Sequence, residues 1–279
     1  MRFDSSGWEL YAETFGSAAD PAIVLLHGGG SSMMAWDAEL CEALAGRGRF
    51  VVRLDARHAG RSASRDEPST THDLAADVVA LLDALELPAA TLAGVSLGGN
   101  TAQIVAVEHP ERVSGLALIA TTPIGDDLPG PAEGLFADEP APPDWSDRDA
   151  VVRYLVELER PYGGSRFDEE LITRIAERSV DHAPDIAVQL TRSADFGPSV
   201  RERLPEIRVP TVVVHGTEDP MFPLAHGEAL AAAIPGARLV ALEGVGHAHV
   251  PRDDWPALVA AITSLPAPPS SAGGPAPRA

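Results

Sequence analysis

The run Gly94-Val95-Ser96-Leu97-Gly98-Gly99 holds the first residue that can do chemistry, Ser96. A serine hydroxyl is a weak nucleophile unless a sharp turn exposes it beside a base and a pair of hydrogen-bond donors. Glycines two residues before and after Ser96 permit such a turn, because no Cβ stands between a strand and a helix that come close together. The spacing is that of the G-x-S-x-G nucleophile elbow, and its surroundings suit one: an apolar run at 91–95 before it and a helical pattern at 100–109 after it. The plainer alternative is a glycine-rich strand-to-helix turn in which the serine is incidental.

A serine nucleophile acting on a carbonyl also needs donors for the negative charge that builds on oxygen. Leu26-His27-Gly28-Gly29-Gly30 ends another apolar run, and its glycines let the backbone approach a ligand closely. The expected pair of donors is the N–H of Gly29 and the N–H of Leu97, the residue after the nucleophile. His27 reads as a structural histidine of that loop. A phosphate-cradling loop is the rival, but the segment lacks the Gly-Lys-Ser/Thr ending and the dinucleotide spacing.

A base and an orienting acid complete the set. His215-Gly216-Thr217-Glu218-Asp219-Pro220 follows the run Val212-Val213-Val214 and offers either Glu218 or Asp219 as the acid. Gly244-Val245-Gly246-His247-Ala248-His249 follows the run 238–242 and offers two histidines. His247 is preferred as base because Gly246 gives it a flexible approach, with His249 a neighbour on the loop. Read as a metal site, His247-x-His249 has no third histidine or cysteine cluster to complete it, so no metal is expected.

Two further groups are less specific. Asp55-Ala56-Arg57-His58-Ala59-Gly60-Arg61-Ser62 follows a strand, and Asp55 and Arg57 are expected to fix a loop near the oxyanion donors. His58 either lines a pocket or, more simply, packs as an ordinary histidine. Cys41 is the only cysteine and lies in an Ala/Leu-rich helical stretch, where a buried inert thiol is expected.

These residues need rigid elements to place them. Short β-branched runs at 8–15, 23–26, 50–54, 91–95, 116–120, 211–214 and 238–242 alternate with helical patterns, which predicts βαβ units and a parallel sheet. The first run alternates, as an antiparallel edge ribbon would; the later ones are continuous, as for strands covered on both faces. In 73–87, Leu74, Val78, Leu81, Leu82 and Leu85 recur at helical spacing as a core stripe. From 125 to 204 the pattern changes to a Pro/Asp/Glu-rich loop at 126–144, two amphipathic helices at 147–159 and 168–181, and a shorter one from 184. The expected organisation is a core of 1–124 and 205–265, a helical insertion over 125–204, and a disordered Pro/Ala/Ser/Gly-rich tail over 266–279. Six aromatic residues fall in the insertion: Phe136, Trp145, Tyr154, Tyr162, Phe167 and Phe196. If they face a pocket, they favour flat or bulky apolar acyl groups.

The net charge of −20 disfavours nucleic acid and anionic membranes, both of which select basic patches. All 21 basic residues are arginine, so lysine Schiff-base chemistry is excluded. No apolar run approaches the ~20 residues of a membrane span, and no apolar leader is visible near Met1, so a cytoplasmic location is the expectation.

Together the four glycine-flanked blocks resemble the α/β-hydrolase superfamily over most of residues 8–265, with the chain order Ser96, Asp219, His247. Within it the chain is similar to aclacinomycin methylesterase-like hydrolases. The shared features are Gly28-Gly29 with Trp36 downstream, Gly60-Arg61-Ser62, Ser179-Val180-Asp181-His182-Ala183, the 210–223 segment, and Gly246-His247-Ala248. The resemblance implies a mostly parallel eight-stranded sheet flanked by helices, a helical cap over the site, and no cofactor. It selects Asp219 over Glu218 through the Gly-x-x-Asp-Pro turn, and it implies a small or aromatic, polyketide-type carboxylic ester as substrate. The same triad also serves C–C bond hydrolysis, perhydrolysis or cyclisation. Epoxide hydrolase and dehalogenase chemistry needs a carboxylate nucleophile where this chain has Ser96. A non-catalytic ligand receptor is the alternative outside enzymology.

Overall fold

The computed structural model describes residues 1–247 and 249–266. Its strands are β1 (Arg2–Ser5), β2 (Trp8–Phe15), β3 (Ala22–Leu26), β4 (Phe50–Asp55), β5 (Ala90–Val95), β6 (Val113–Ile119), β7 (Thr211–Gly216) and β8 (Arg238–Leu242). They form one eight-stranded sheet in the order β1-β2-β4-β3-β5-β6-β7-β8. β1 pairs β2 and β2 pairs β4 antiparallel, and every later pairing is parallel. The expected mostly parallel eight-stranded sheet is therefore present, and each of the seven apolar runs is a strand. β1, with the sequence Arg-Phe-Asp-Ser, is the eighth; it buries only Phe3 and Ser5. β8 departs from expectation. Its residues are largely exposed or half-buried because it is the sheet edge, with a neighbour on one side only.

Helices α1 (Ala38–Ala45), α2 (Thr71–Ala84), α3 (Leu97–Glu108), α7 (Ala225–Ala233) and α8 (Trp255–Thr263) cover the sheet. Alternation along each strand separates two cores. Val24, Leu26, Leu116, Leu118 and Val213 pack on one face with Val78, Leu81 and Leu82 of α2 and with α3. Ile23, Leu25, Ala117, Ile119, Val212 and Val214 pack on the other with Leu40 and Leu44 of α1 and with α8. Each fully buried leucine contributes about 1.5–3 kcal/mol relative to an exposed one.

Between β6 and β7 the chain makes a helical insertion, with α4 (Arg148–Glu159), α5 (Glu169–His182) and α6 (Ile186–Thr191). Asp147, Asp168 and Asp185 cap the three N-termini, each side chain accepting a backbone N–H two or three positions into the helix. Val151, Val152, Leu155, Val156, Ile172, Ala176 and Ile186 form a small core within the insertion. Among the contacts that hold it to the sheet layer, Arg174 and Arg178 reach the buried Asp37, and His182 Nε2 lies 2.6 Å from Oδ2 of the buried Asp55. Apart from Pro266, the 266–279 tail lies outside the described residues.

Candidate active site

The ends of β3, β5, β7 and β8 lie along one edge of the sheet, the carboxyl edge, where ligands bind in open α/β folds. Leu26 pairs with Gly94 and Val95 with Ile119, so the loop after β3 lies against the turn after β5. At that turn Ser96 has φ 53° and ψ −116°. A non-glycine residue held there stores about 1–3 kcal/mol of strain, which persists only where the surroundings enforce it. They do so through three bonds: Ser96 N–H donates to Ile119 O (3.0 Å), and Ser96 O accepts from Asn100 N–H (3.1 Å) and Thr121 Oγ1 (2.7 Å). Gly94 and Gly98 make the crossing possible. A Cβ on Gly94 would overlap the Gly98 carbonyl, and one on Gly98 would overlap the Leu26 carbonyl.

Ser96 therefore projects at the N-terminus of α3. Among the described residues, neither the Leu97 N–H nor the Gly29 N–H has an acceptor. Those are the two donors singled out from the sequence, and Leu97 adds the positive end of the helix dipole. The Gly29 loop is fixed by His27, whose Nδ1 donates to Gly28 O (2.7 Å) while Nε2 accepts the Ala56 N–H (3.1 Å). Burial pushes the His27 pKa below its ordinary value, which keeps the ring neutral and able to accept as well as donate.

The imidazole of His247 lies between the other two groups. Its Nε2 is 3.1 Å from Ser96 Oγ and its Nδ1 is 2.9 Å from Asp219 Oδ2. Asp219 is buried, and its Oδ1 accepts the N–H groups of Met221 (2.9 Å) and Phe222 (2.8 Å), so Oδ2 is left to face the ring. The structure thus brings together Ser96, Asp219 and His247. Glu218 lies apart; its carboxylate accepts the Ser165 N–H at 2.6 Å. His249 does not reach the pair but lines the adjoining cavity.

That cavity has a volume of about 410 Å³. Core and insertion both wall it, with Trp36, Phe222 and Trp255 from the first and Leu158, Tyr162 and Phe196 from the second. The other residues weighed from the sequence divide between lining this cavity and packing elsewhere. Of the six insertion aromatics only Tyr162 and Phe196 line the cavity; Trp145 packs edge-on against Tyr154 and Phe167 lies under Arg160. His58 is buried away from it, bonded to Ser64 and edge-on to Trp8. Asp55 does fix the nearby loops, accepting from Met33 and Arg61 N–H, but Arg57 pairs instead with Asp77 at 2.7 Å. The Cys41 thiol is buried and its pKa is pushed up to about 12, so it stays protonated.

Three residues that position the site are not among those the sequence reading assigned that role. The Tyr162 carbonyl accepts the His247 N–H at 2.7 Å, and Phe222 meets the His247 ring edge-on at 5.1 Å. His215, forced neutral by burial, spans the acid's turn by donating Nε2–H to Phe222 O (2.7 Å). Only His215 could have been suspected, as a polar residue ending an otherwise apolar strand.

A strained serine after a central parallel strand, with a buried acid and a histidine on later strand ends, defines the α/β-hydrolase architecture. The chain belongs to the alpha/beta hydrolase fold family, whose model matches residues 21–250. It is 31% identical over 269 aligned residues to rhodomycin D methylesterase DauP of Streptomyces sp. (strain C5), covering 86% of this chain and 89% of that protein. It is also 31% identical over 236 residues to a 2-hydroxy-6-oxononadienedioate/2-hydroxy-6-oxononatrienedioate hydrolase of Burkholderia vietnamiensis, covering 81% of this chain and 80% of that one. Among solved structures, the enol-lactonase from Burkholderia xenovorans LB400 superposes with a TM-score of 0.74 at 26% identity, over 95% of this chain and 98% of the other. Among the described residues, no helix is long and apolar enough to cross a membrane.

Proposed function

We propose that this protein is a serine hydrolase that cleaves carboxylic esters of small or aromatic acids. The observation that carries the proposal is the His247 ring held between Ser96 Oγ and Asp219 Oδ2. His247 takes the Ser96 proton as the oxygen attacks the ester carbonyl, and the Gly29 and Leu97 N–H groups receive the oxyanion. His247 then protonates the leaving alcohol. Water, deprotonated by the same ring, cleaves the acyl-enzyme and restores Ser96. Asp219, its own orientation set by two backbone donors, keeps the proton on Nδ1. No cofactor enters any step.

Residues 1–124 and 205–265 act as the catalytic core and 125–204 as a cap that closes over the acyl group. A cavity of about 410 Å³ with tryptophan and phenylalanine in its walls suits a compact or flat acyl group better than a long chain. The methylesterase relative supports ester cleavage as the reaction. The second reading is C–C bond hydrolysis by the same three residues, favoured by the likeness to the Burkholderia vietnamiensis hydrolase. Against it, no arginine lines the cavity among the described residues, so a dianionic substrate would find no counter-charge there.

The test is a panel of methyl benzoates, short p-nitrophenyl esters, emulsified triolein and vinylogous diketo acids, with products read by mass spectrometry. Highest kcat/KM on the aromatic or short esters is expected, together with fluorophosphonate labelling at Ser96 that Ser96→Ala abolishes. Preference for triolein or for the diketo acids, or label on another serine, overturns the proposal.

A further inference from the structure

The cavity wall next to His247 carries a charge that nothing among the described residues answers. Glu159 is the last residue of α4, whose final turn contains no basic residue. Helix ends of this polarity carry partial negative charge, so a carboxylate there is unfavourable unless a cation joins it. The obvious cation is already used: Arg160 bonds Glu157 (3.0 Å) and Glu169 (3.2 Å) and covers the Phe167 ring. Among the described residues Glu159 has neither an ion-pair nor a hydrogen-bond partner. The other carboxylate lining the cavity, Asp37, is satisfied by Arg174 and Arg178, each at 3.1 Å.

Two neighbours on the same wall shape what Glu159 can receive. Burial pushes the His249 pKa below its ordinary value, so at neutral pH this ring is not the missing cation. Tyr162 presents an aromatic ring whose phenol is held protonated by burial and by the charges of Glu139 and Glu159. An aromatic ring close to an unpaired carboxylate on one cavity wall is a recognised setting for an ammonium group, combining charge and ring quadrupole. Tyr162 also lies 6.3 Å, ring to ring, from His247, which places this wall beside the reacting bond.

We infer that Glu159, Tyr162 and His249 form a subsite for a protonated amine carried by the substrate, set on an otherwise neutral apolar body. This inference rests on the ester-hydrolase reading of the Ser96 site for its reaction, but not for its binding. The remainder of the cavity takes the apolar body, and the amine lies against Glu159 with a hydrogen bond to its carboxylate.

Matched molecules test it. Methyl 4-(dimethylaminomethyl)benzoate and methyl 4-isobutylbenzoate have nearly the same shape and differ by one positive charge. The wild type is expected to favour the amine ester by about tenfold in kcat/KM, mainly through KM, as for a charge-assisted contact. In Glu159→Gln that ratio should fall towards unity. A wild-type ratio of one or less overturns the subsite, as does a ratio retained in Glu159→Gln. An equal slowing of both esters also overturns it, because Glu159 would then be acting on His247. The corresponding ketones, 4-(dimethylaminomethyl)acetophenone and 4-isobutylacetophenone, are not cleaved and are titrated by calorimetry against both proteins. Preferential, Glu159-dependent binding of the amine ketone with no ester turnover sinks the ester-hydrolase reading and keeps the subsite. Ester turnover without any amine preference does the reverse. Failure of the amine ketone to bind more tightly than its isostere overturns the subsite directly.

Discussion

The backbone N–H of His247 donates to the carbonyl of Tyr162 at 2.7 Å, and Gly246 N–H donates to Gly163 O at 3.2 Å. The histidine that faces Ser96 is thus held by the insertion as much as by the strand that precedes it. Gly246 is what allows the approach, because a Cβ there would run into the Tyr162 carbonyl.

Gly246→Ala should therefore move His247 without disturbing the sheet. We expect kcat to fall by roughly tenfold to a hundredfold, since misplacement of about 1 Å costs that order, with labelling of Ser96 slowed in parallel. Steady-state kinetics beside a thermal melt checks it. Unchanged kcat would show that the two bonds to the insertion do not set the ring.

Asp219→Asn is the sharpest test of the acid. Its Oδ1 is claimed by the Met221 and Phe222 N–H groups, so the new amide must turn its NH2 towards His247 Nδ1. That forces the proton onto Nε2, where it can no longer be accepted from Ser96. A loss of about 10⁴ in kcat is expected with the fold retained. Glu218→Gln should lose far less, because Glu218 bonds Ser165. Equal losses in the two would exchange their roles.

His247→Ala should cost at least about 10³ in kcat. His249→Ala should act chiefly on KM, since His249 lines the cavity without reaching Ser96 or Asp219. The opposite ranking would move the base to His249.

The neutral, buried His27 gives a pH signature. Its folded pKa is lowered below the unfolded value of about 6.5, so as pH falls through that value the unfolded chain takes up the proton first. The stability it contributes is complete above the unfolded pKa and is lost progressively below it. The difference in Tm between wild type and His27→Gln should therefore shrink from about pH 7.5 to about pH 5.5. A constant difference would mean that His27 titrates alike in the folded and unfolded protein.

The elements that are legible in the sequence are those whose signal is local. Runs such as Ile-Val-Leu-Leu and Val-Val-Val are apolar on both faces because helices cover both, and that pattern needs no knowledge of the partner. β1 is too short and polar to announce itself, and β8 hides its edge position because exposure is a property of the sheet. The three residues around the His247 ring stand on sharply turned loops after strands, which glycine spacing reveals. What surrounds them is not local. Asp55 and His182 meet across 127 positions, and Trp145 and Tyr154 prefer each other to the cavity. An amphipathic stripe says that a helix face is covered without saying by what.

The ties between insertion and sheet bear on engineering. Helices α4, α5 and α6 have their own small core, yet exchanging them for those of a relative should carry a cost in stability. A graft lacking the equivalents of Arg174, Arg178 and His182 would strand Asp37 and Asp55 as buried carboxylates. Breaking a buried pair from one side costs on the order of 3–5 kcal/mol, a large fraction of the stability of a typical domain. A chimera that keeps its fold has to inherit both halves of each handshake, and the boundary of the exchangeable unit is therefore drawn in space rather than along the chain.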